Sequence, residues 1–251
     1  MLELLLIGIG AGNPRHLTLQ AIDAMRSADV ILIPNKGAQK DDLAALRRQI
    51  CAEHLGPDGP VLREFDLPVR DAATADYRTR VDDWHDVIAE IWQAEIMEAT
   101  GGTGRVGFLV WGDPSLYDST MRIAERLQRR MKLTLTVIPG ITAIQSLTAG
   151  HAITLNEIGA PVQITTGRQI RDHGWPDGAD TVVVMLDAGG AFQALDPDGV
   201  EIWWSAYAGM AEEIRITGLL AQVGPQIVAA RAEARARHGW IMDIYLMRRT
   251  R

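Results

Sequence analysis

The sequence predicts an α/β protein with two parts: an N-terminal α/β domain on a parallel sheet, then a smaller α+β domain with a mixed sheet. Three observations carry this. Aliphatic runs alternate with helix-period segments as far as Ile138. Several of those runs stop at glycine or proline. Beyond about Gly150, short strand-like runs succeed one another with little helical material between them. Regular strand–helix alternation implies parallel strands joined by right-handed crossovers.

Leu2–Ile9 is a nearly unbroken aliphatic run, the pattern of a strand buried on both faces. Leu17–Ser27 follows with helical spacing at Leu19, Ile22 and Met25, and with Thr18 as its N-cap. Asp29–Pro34 reads as the second strand, Asp41–Leu55 as a helix, and Pro60–Leu67 as the third strand. Ala75–Ala99 keeps Val81, Trp84, Val87/Ile88, Ile91 and Glu95/Ile96 in helical register. Arg105–Trp111 is the fourth strand, Ser119–Met131 a helix, and Leu133–Ile138 the fifth strand, closed by Pro139-Gly140. If these strands are parallel, Gly8–Pro14, Gly112–Pro114 and Pro139–Gly140 share one edge of the sheet, the edge where ligands bind in open α/β folds. In the second half, residues 161–167, 180–187, 200–208, 212–218 and 240–247 read as strands, and Gly189–Leu195 and Leu219–Arg237 as helical.

A chain of 251 residues accommodates two medium domains, expected at 1–148 and 149–251. No flexible tether separates them, which implies a cleft between them, a common place for a ligand. The net charge of −7 argues against non-specific nucleic-acid binding. No apolar run approaches the roughly 18 residues of a membrane span. The opening MLELLLIGIG carries Glu3 and no basic n-region, so it is not a signal peptide, and a cytoplasmic protein is expected. Cys51 is the sole cysteine, which excludes an intrachain disulfide and a cysteine-based metal site. The six histidines show no metal-ligand spacing, and no metal is expected. Only three of the 25 basic residues are lysine; arginine forks suit carboxylate ligands, and a GC-rich coding genome gives the same bias.

The glycine loop GIGAGN invites a dinucleotide reading and fails it. Asn13-Pro14 follow Gly12 where the fingerprint needs a further spacing to glycine. The acid that should close the second strand is absent, since Pro34-Asn35 stand there and Asp29 opens the strand instead. No Gly-Lys-Ser/Thr occurs, so there is no Walker loop.

The ordered set GIGAGNPRHLTLQAI, ADVILIP, WGDPSLY, VIPGITAIQSL, VVVML and RITGLL resembles the tetrapyrrole methylases across essentially the whole chain. Two motifs match in full: Gly112-Asp113-Pro114-Ser115-Leu116-Tyr117 and Pro139-Gly140-Ile141-Thr142-Ala143. The first loop departs from the family, with Ala11 in place of the usual proline and Asn13 in place of aspartate, so carboxylate chemistry is lost there. The resemblance implies methyl transfer from S-adenosylmethionine to a corrin or porphyrin precursor, and a homodimer. With QAIDAMRSADVILIPNKG and the long segment around residues 36–100, the chain looks most like the branch that methylates C1 of the macrocycle and releases acetate. A sister methylase acting at another ring carbon, an RNA ribose methylase, or a non-catalytic tetrapyrrole- or nucleotide-binding module are the alternatives.

By resemblance, Gly10, Ala11, Gly112, Asp113, Ser115, Leu116, Thr142, Ala143, Met185, Met210 and Ala211 contact the cofactor. Asp113 either accepts from the cofactor's ammonium group or holds its own loop, and Thr142 either lines the cofactor or caps a helix. Met185, at the end of an apolar strand, reads as core from the residues alone. Acetate loss needs water added at a carbonyl and a proton acceptor or donor nearby. Asp113, Tyr117 and Asp118 are the leading catalytic candidates, with His16, Asp187 and Glu212 also beside loops. Arg15, Arg168, Arg171 and Arg215 are the candidates for the substrate's carboxylate arms. Arg231, Arg235 and Arg237 read as a solvated helix face or a dimer contact.

Overall fold

The structure is a computed structural model that describes residues 1–35, 41–68 and 77–250. The chain forms two compact units. One comprises Met1–Gly10 and Pro14–Ile141; the other comprises Thr142–Arg251 with the short segment Ala11–Asn13.

The first unit contains β1 (Leu2–Gly8), α1 (Leu19–Ser27), β2 (Val30–Asn35), α2 (Asp41–His54), β3 (Val61–Asp66), α3 (Tyr77–Thr100), β4 (Gly104–Val110), α4 (Thr120–Arg130) and β5 (Leu133–Ile138). The start at Ala75 read from the sequence falls outside the described residues. The sheet is parallel throughout, in the order β3-β2-β4-β1-β5. β1 lies near its centre, which explains its unbroken apolar run. Leu2, Leu4 and Leu6 pack with Ile88, Trp92 and Ile96 of α3 and with Ile123 and Leu127 of α4. Leu5 and Ile7 face the other way, onto Ala21 and Met25 of α1 and Ile50 and Cys51 of α2. Glu3, the one charge in the run, is bonded on both sides, by Thr136 Oγ1 at 2.7 Å and Arg105 Nε at 2.8 Å. Thr18 caps α1 as its sequence position requires, accepting from Ala21 N–H at 3.0 Å.

β2 pairs with β4 only over Val30–Leu32. Past that point the flank of β4 has no ladder partner from β2, and a buried carbonyl without a donor is costly. The side chain of Arg47 on α2 fills this place, its Nε donating to the Leu109 carbonyl at 2.9 Å. Burial holds the Arg47 guanidinium below its ordinary range, against the opposing charge of Asp118.

The second unit contains α5 (Ala143–His151), β6 (Val162–Thr166), α6 (Gly167–His173), β7 (Thr181–Met185), β8 (Val200–Ala206), β9 (Ile214–Leu219), α7 (Leu220–His238) and β10 (Asp243–Arg249). Its sheet is mixed, in the order β6-β7-β10-β8-β9, with β6 parallel to β7 and the other pairs antiparallel. Val182, Val184, Trp204, Tyr245 and Met247 form one core face with Ile170 of α6 and Leu220 and Ile227 of α7. One helical expectation changes here, and one helix is added. Gly189–Leu195 contains only a single 3-10 turn, Ala191–Ala194, entered through Gly190 in the left-handed region. α6 was not read from the sequence, because seven residues opening on glycine give almost no periodic signal. Thr166 caps it.

In the first unit's core, the Trp92 and Phe108 rings stack with centroids 4.0 Å apart, and Phe65 meets Phe108 edge-on at 6.2 Å. Replacing Phe108 with alanine removes both contacts and leaves a cavity between α3 and the sheet. The expected loss is about 3–5 kcal/mol of unfolding free energy, measured by urea denaturation.

Candidate functional site

β4, β1 and β5 are neighbours, so their C-terminal tips fall side by side. At those tips three glycine backbones touch. A Cβ on Gly8 would lie 2.6 Å from the Gly140 nitrogen and 2.9 Å from the Gly112 carbonyl oxygen. A Cβ on Gly140 would collide with that same Gly112 oxygen. Gly10 and Gly112 also exchange main-chain hydrogen bonds, at 3.3 and 2.8 Å. Both sit in the left-handed region, with φ of +82° and +65°. The glycines therefore bring bare main chain together on one rim of the sheet.

Asp113 ties this rim together. Its Oδ2 accepts from Gly140 N–H at 2.8 Å, linking the loop after β4 to the loop after β5. Its Oδ1 accepts from Ser115 N–H at 2.8 Å and from the Ser115 hydroxyl at 2.5 Å. Partial burial pushes this carboxyl up, but the bonds from Ser115 and Gly140 outweigh it and hold it below the ordinary value. Pro114 is buried behind the turn, and Leu116 N–H returns to the Asp113 carbonyl at 3.2 Å. Tyr117 is exposed with φ of +50°, a strained conformation for a bulky residue, and partial desolvation of its phenol raises its pKa. Asp118 accepts from Thr120 N–H at 2.6 Å and the Thr120 hydroxyl at 2.5 Å, so it opens α4 in place of Ser119, which caps nothing. His16 lies under Gly10, where a Cβ would come within 2.8 Å of the histidine's own.

In the second unit, Thr142 and Ala143 begin α5. Thr142 forms a capping box with Gln145: Thr142 Oγ1 accepts from Ile144 N–H at 3.1 Å, and Gln145 Oε1 accepts from Thr142 N–H at 3.0 Å. Its hydroxyl is thus spent on the helix.

β7 and β8 both run antiparallel to β10, so Met185 and Ala206 end on the same edge of the second sheet. Each strand exits through a non-glycine residue in the left-handed region: Leu186 at φ +52° and Tyr207 at φ +52°. Such conformations cost on the order of 1–3 kcal/mol each and persist only where the surroundings enforce them. Here they do. Asp187, whose side chain is wholly buried, accepts from Ala191 N–H at 2.6 Å, Tyr245 Oη at 2.7 Å, Gly189 N–H at 3.1 Å and Arg171 Nη1 at 3.1 Å. Burial raises the Asp187 pKa; those donors and the Arg231 charge bring it below the ordinary carboxylate range. Arg231 donates to the Asp187 carbonyl at 3.0 Å and forms an ion pair with Asp243, which also accepts from Trp204 Nε1 at 2.8 Å. Tyr207 is fixed by its hydroxyl donating to the Trp240 carbonyl at 2.6 Å. Met210 N–H then closes onto the Tyr207 carbonyl at 2.9 Å.

Met185 and Met210 are half-buried and Ala211 is exposed beside these turns. Ala211 also lines a cavity of about 350 Å³ with Glu212, Glu213 and residues of α7. A larger cavity of about 520 Å³, lined by Trp175, Asp196, Gly199 and Arg249, opens at the opposite edge of the sheet, away from Met185 and Met210. Arg15 is exposed in a 3-10 turn at Pro14–His16, and Arg168 is exposed in the first turn of α6. Arg171 is held by Asp187 through one nitrogen, and Arg215 donates to the Gly150 carbonyl.

The reading of Arg231 as solvated needs correction: it is buried against Asp243 and Asp187, while Arg235 and Arg237 are exposed. The arginine-rich pattern of α7 hides this, because only one turn of the helix faces Asp243. Arg47 and the left-handed residues Leu186 and Tyr207 likewise gave no signal in the sequence.

The tetrapyrrole (corrin/porphyrin) methylase family matches residues 3–224. The chain belongs to the tetrapyrrole methylases. This methylase is 49% identical over 251 residues to a precorrin-6A synthase [deacetylating] from Sinorhizobium sp, covering 99% of this chain and 96% of that protein. It superposes on a crystal structure of a cobalamin synthesis related protein (CobF) from Corynebacterium diphtheriae with a TM-score of 0.85, at 38% identity and complete coverage of both chains. The uroporphyrin-III C-methyl transferase of Thermus thermophilus, crystallised with S-adenosyl homocysteine, shares the methylase fold at a TM-score of 0.59 and 18% identity, covering 98% of this chain and 96% of that one.

Two substitutions test these two frameworks. The folded pKa of Asp113 lies below its model-peptide value of 3.8. Its carboxylate therefore stabilises the fold above that value, and the contribution is lost as pH falls through the folded pKa. Asp113→Asn should melt below the wild-type protein at neutral pH, with the gap closing in acid, as read by thermal melts across pH. Asp187→Ala strips the acceptor from the buried Tyr245 hydroxyl and Ala191 N–H, leaves Arg171 without its carboxylate and frees the Leu186 turn. It should cost about 3–5 kcal/mol in chemical denaturation.

Proposed function

We propose that this protein is an S-adenosylmethionine-dependent C-methyltransferase of cobalamin biosynthesis that methylates precorrin-5 at C1, with loss of acetate, to give precorrin-6A. The observation that carries this reading is the end-to-end likeness to a precorrin-6A synthase [deacetylating], at 49% identity over 99% of the chain. The strand-tip architecture agrees with it. Residues 1–148 supply the glycine rim and residues 149–251 supply the turns after β7 and β8.

The rim fits an amino-acid tail. Gly8 and Gly140 bring main-chain segments of neighbouring loops into contact where any Cβ would strike backbone. A zwitterionic tail is recognised by main-chain donors and acceptors of this kind. Gly10, Ala11, Gly112, Asp113, Ser115, Leu116, Thr142 and Ala143 take the methionine part in this reading, and Met185, Met210 and Ala211 the adenosine part. S-adenosylmethionine supplies an electrophilic methyl group on a sulfonium, so the chain needs no nucleophile of its own. Its residues act by holding the reacting carbon and the methyl in line, which is worth up to roughly 7–11 kcal/mol.

Arg15, Arg168, Arg171 and Arg215 bind the acetate and propionate arms of the macrocycle. Each charge-assisted contact contributes about 1.5–3 kcal/mol. Arg171 and Arg215 are each already held at one nitrogen, which orients the remaining donors of the fork. The protein works as a cytoplasmic homodimer on a small-molecule substrate, without nucleic acid or membrane. In support, none of the described helices is long and apolar enough to cross a bilayer.

Mass spectrometry of the product formed from precorrin-5 tests the reading. One methyl gained, a two-carbon fragment released as acetate, and an equal amount of S-adenosylhomocysteine are expected. A methyl gained without acetate reassigns the protein to a sister corrin-ring methylase. No S-adenosylhomocysteine at all leaves only a binding module.

A further inference from the structure

Acetate release needs a base, and most carboxylates near the turns are committed elsewhere. Asp118 is spent on the start of α4, and Asp187 is buried and saturated with donors. A different group is available on the same edge of the second sheet as Met185 and Met210. His151 closes α5, and the chain leaves it through Ala152 in the left-handed region at φ +53°. Its ring is half-buried against the end of β8, with Nε2 3.2 Å from the Trp204 carbonyl and 3.2 Å from Ser205 Oγ.

A carbonyl oxygen only accepts. Nε2 therefore carries the proton, and the lone pair is on Nδ1. Two charged groups on the approach to β9 and in β9 itself act on this ring, Glu213 and Arg215. Burial is the largest influence and keeps the imidazole neutral. The Trp204 carbonyl pulls the other way, Arg215 reinforces burial, Glu213 opposes it, and the net pKa is lowered. Glu213 Oε1 is itself buried without a hydrogen-bond partner among the described residues, leaving an acceptor ready for a donor beside the ring.

We infer that His151 is the general base of the deacetylation, acting through Nδ1 on the water that adds to the acetyl carbonyl. This rests on the proposed reaction. The water oxygen bonds to the acetyl carbon and its proton passes to Nδ1. The bond between the acetyl carbon and C1 then breaks. Its electron pair stays on the ring carbon and forms the bond to the incoming methyl, as the methyl–sulfur bond of the donor breaks and leaves its pair on sulfur. The acetyl group leaves as acetic acid, which ionises to acetate, and His151 returns its proton to solvent. Glu213 steadies the transient imidazolium.

The test is acetate release from precorrin-5 by the full-length protein, followed across pH. Wild type should lose activity on the acidic side as His151 protonates. His151→Gln should lower acetate release on the order of 10²–10⁴-fold, abolish that acidic limb, and leave the dissociation constant for S-adenosylmethionine and the melting temperature close to wild type. Glu213→Gln removes a charge that raises the His151 pKa, so its acidic limb should move to lower pH. Acetate release by His151→Gln within a few-fold of wild type overturns the inference. So does an unshifted limb in Glu213→Gln, or a loss in His151→Gln that tracks a fall in melting temperature and is matched by lost cofactor affinity. A wild-type protein that methylates without releasing acetate overturns the proposed reaction instead, and with it the need for any base.

Discussion

Contact between three main-chain segments sets the rest of this architecture. At the tips of β4, β1 and β5 the backbones of Gly112, Gly8 and Gly140 approach until no side chain fits between them. That approach needs parallel strands in this spatial order, a double-sided apolar core to hold them in register, and glycine at each point of contact. The loops are held to one another by it, backbone against backbone. Asp113 supplies the polar half of the arrangement, since Gly140 N–H would otherwise have no strand partner at the end of β5.

The second unit reaches a comparable rigidity by electrostatics. Leu186 and Tyr207 both adopt a conformation that an isolated chain avoids, and each is enforced by buried polar bonds behind it. Asp187, Arg171, Arg231, Asp243, Trp204 and Tyr245 form a connected set in which each charge meets an opposite charge or a donor. Such a network adds little net stability compared with an apolar core, but it penalises any partial rearrangement heavily. The turns that follow β7 and β8 are consequently fixed before anything binds.

The sequence exposed the periodic and the punctuated parts of this molecule. β1, β4 and β5 announced themselves through apolar runs ending in glycine or proline, and parallel topology then placed their tips together. Thr18 and Thr142 were legible as caps because capping depends on local residue type. What stayed hidden depends on distant partners. Arg47 sits in a helix of ordinary composition and matters only because β2 stops pairing with β4 after Leu32. Arg231 looks like its exposed neighbours until Asp243 and the Asp187 carbonyl are brought to it. α6 is too short for a period to show. His151 gains its character from two groups on β8, more than fifty residues along the chain.

Cys51 packs in the apolar layer beneath the first sheet, 1% exposed, and burial pushes its thiol up to about 11. At neutral pH roughly one molecule in 10⁴ carries the thiolate, the form that attacks electrophiles. A protein that handles an activated alkyl donor is at risk of modifying itself, and sulfur is the most nucleophilic atom a side chain offers. With its sole thiol both sealed off and protonated, this chain gives the donor no competing acceptor of that kind, and the alkyl group is reserved for the ring.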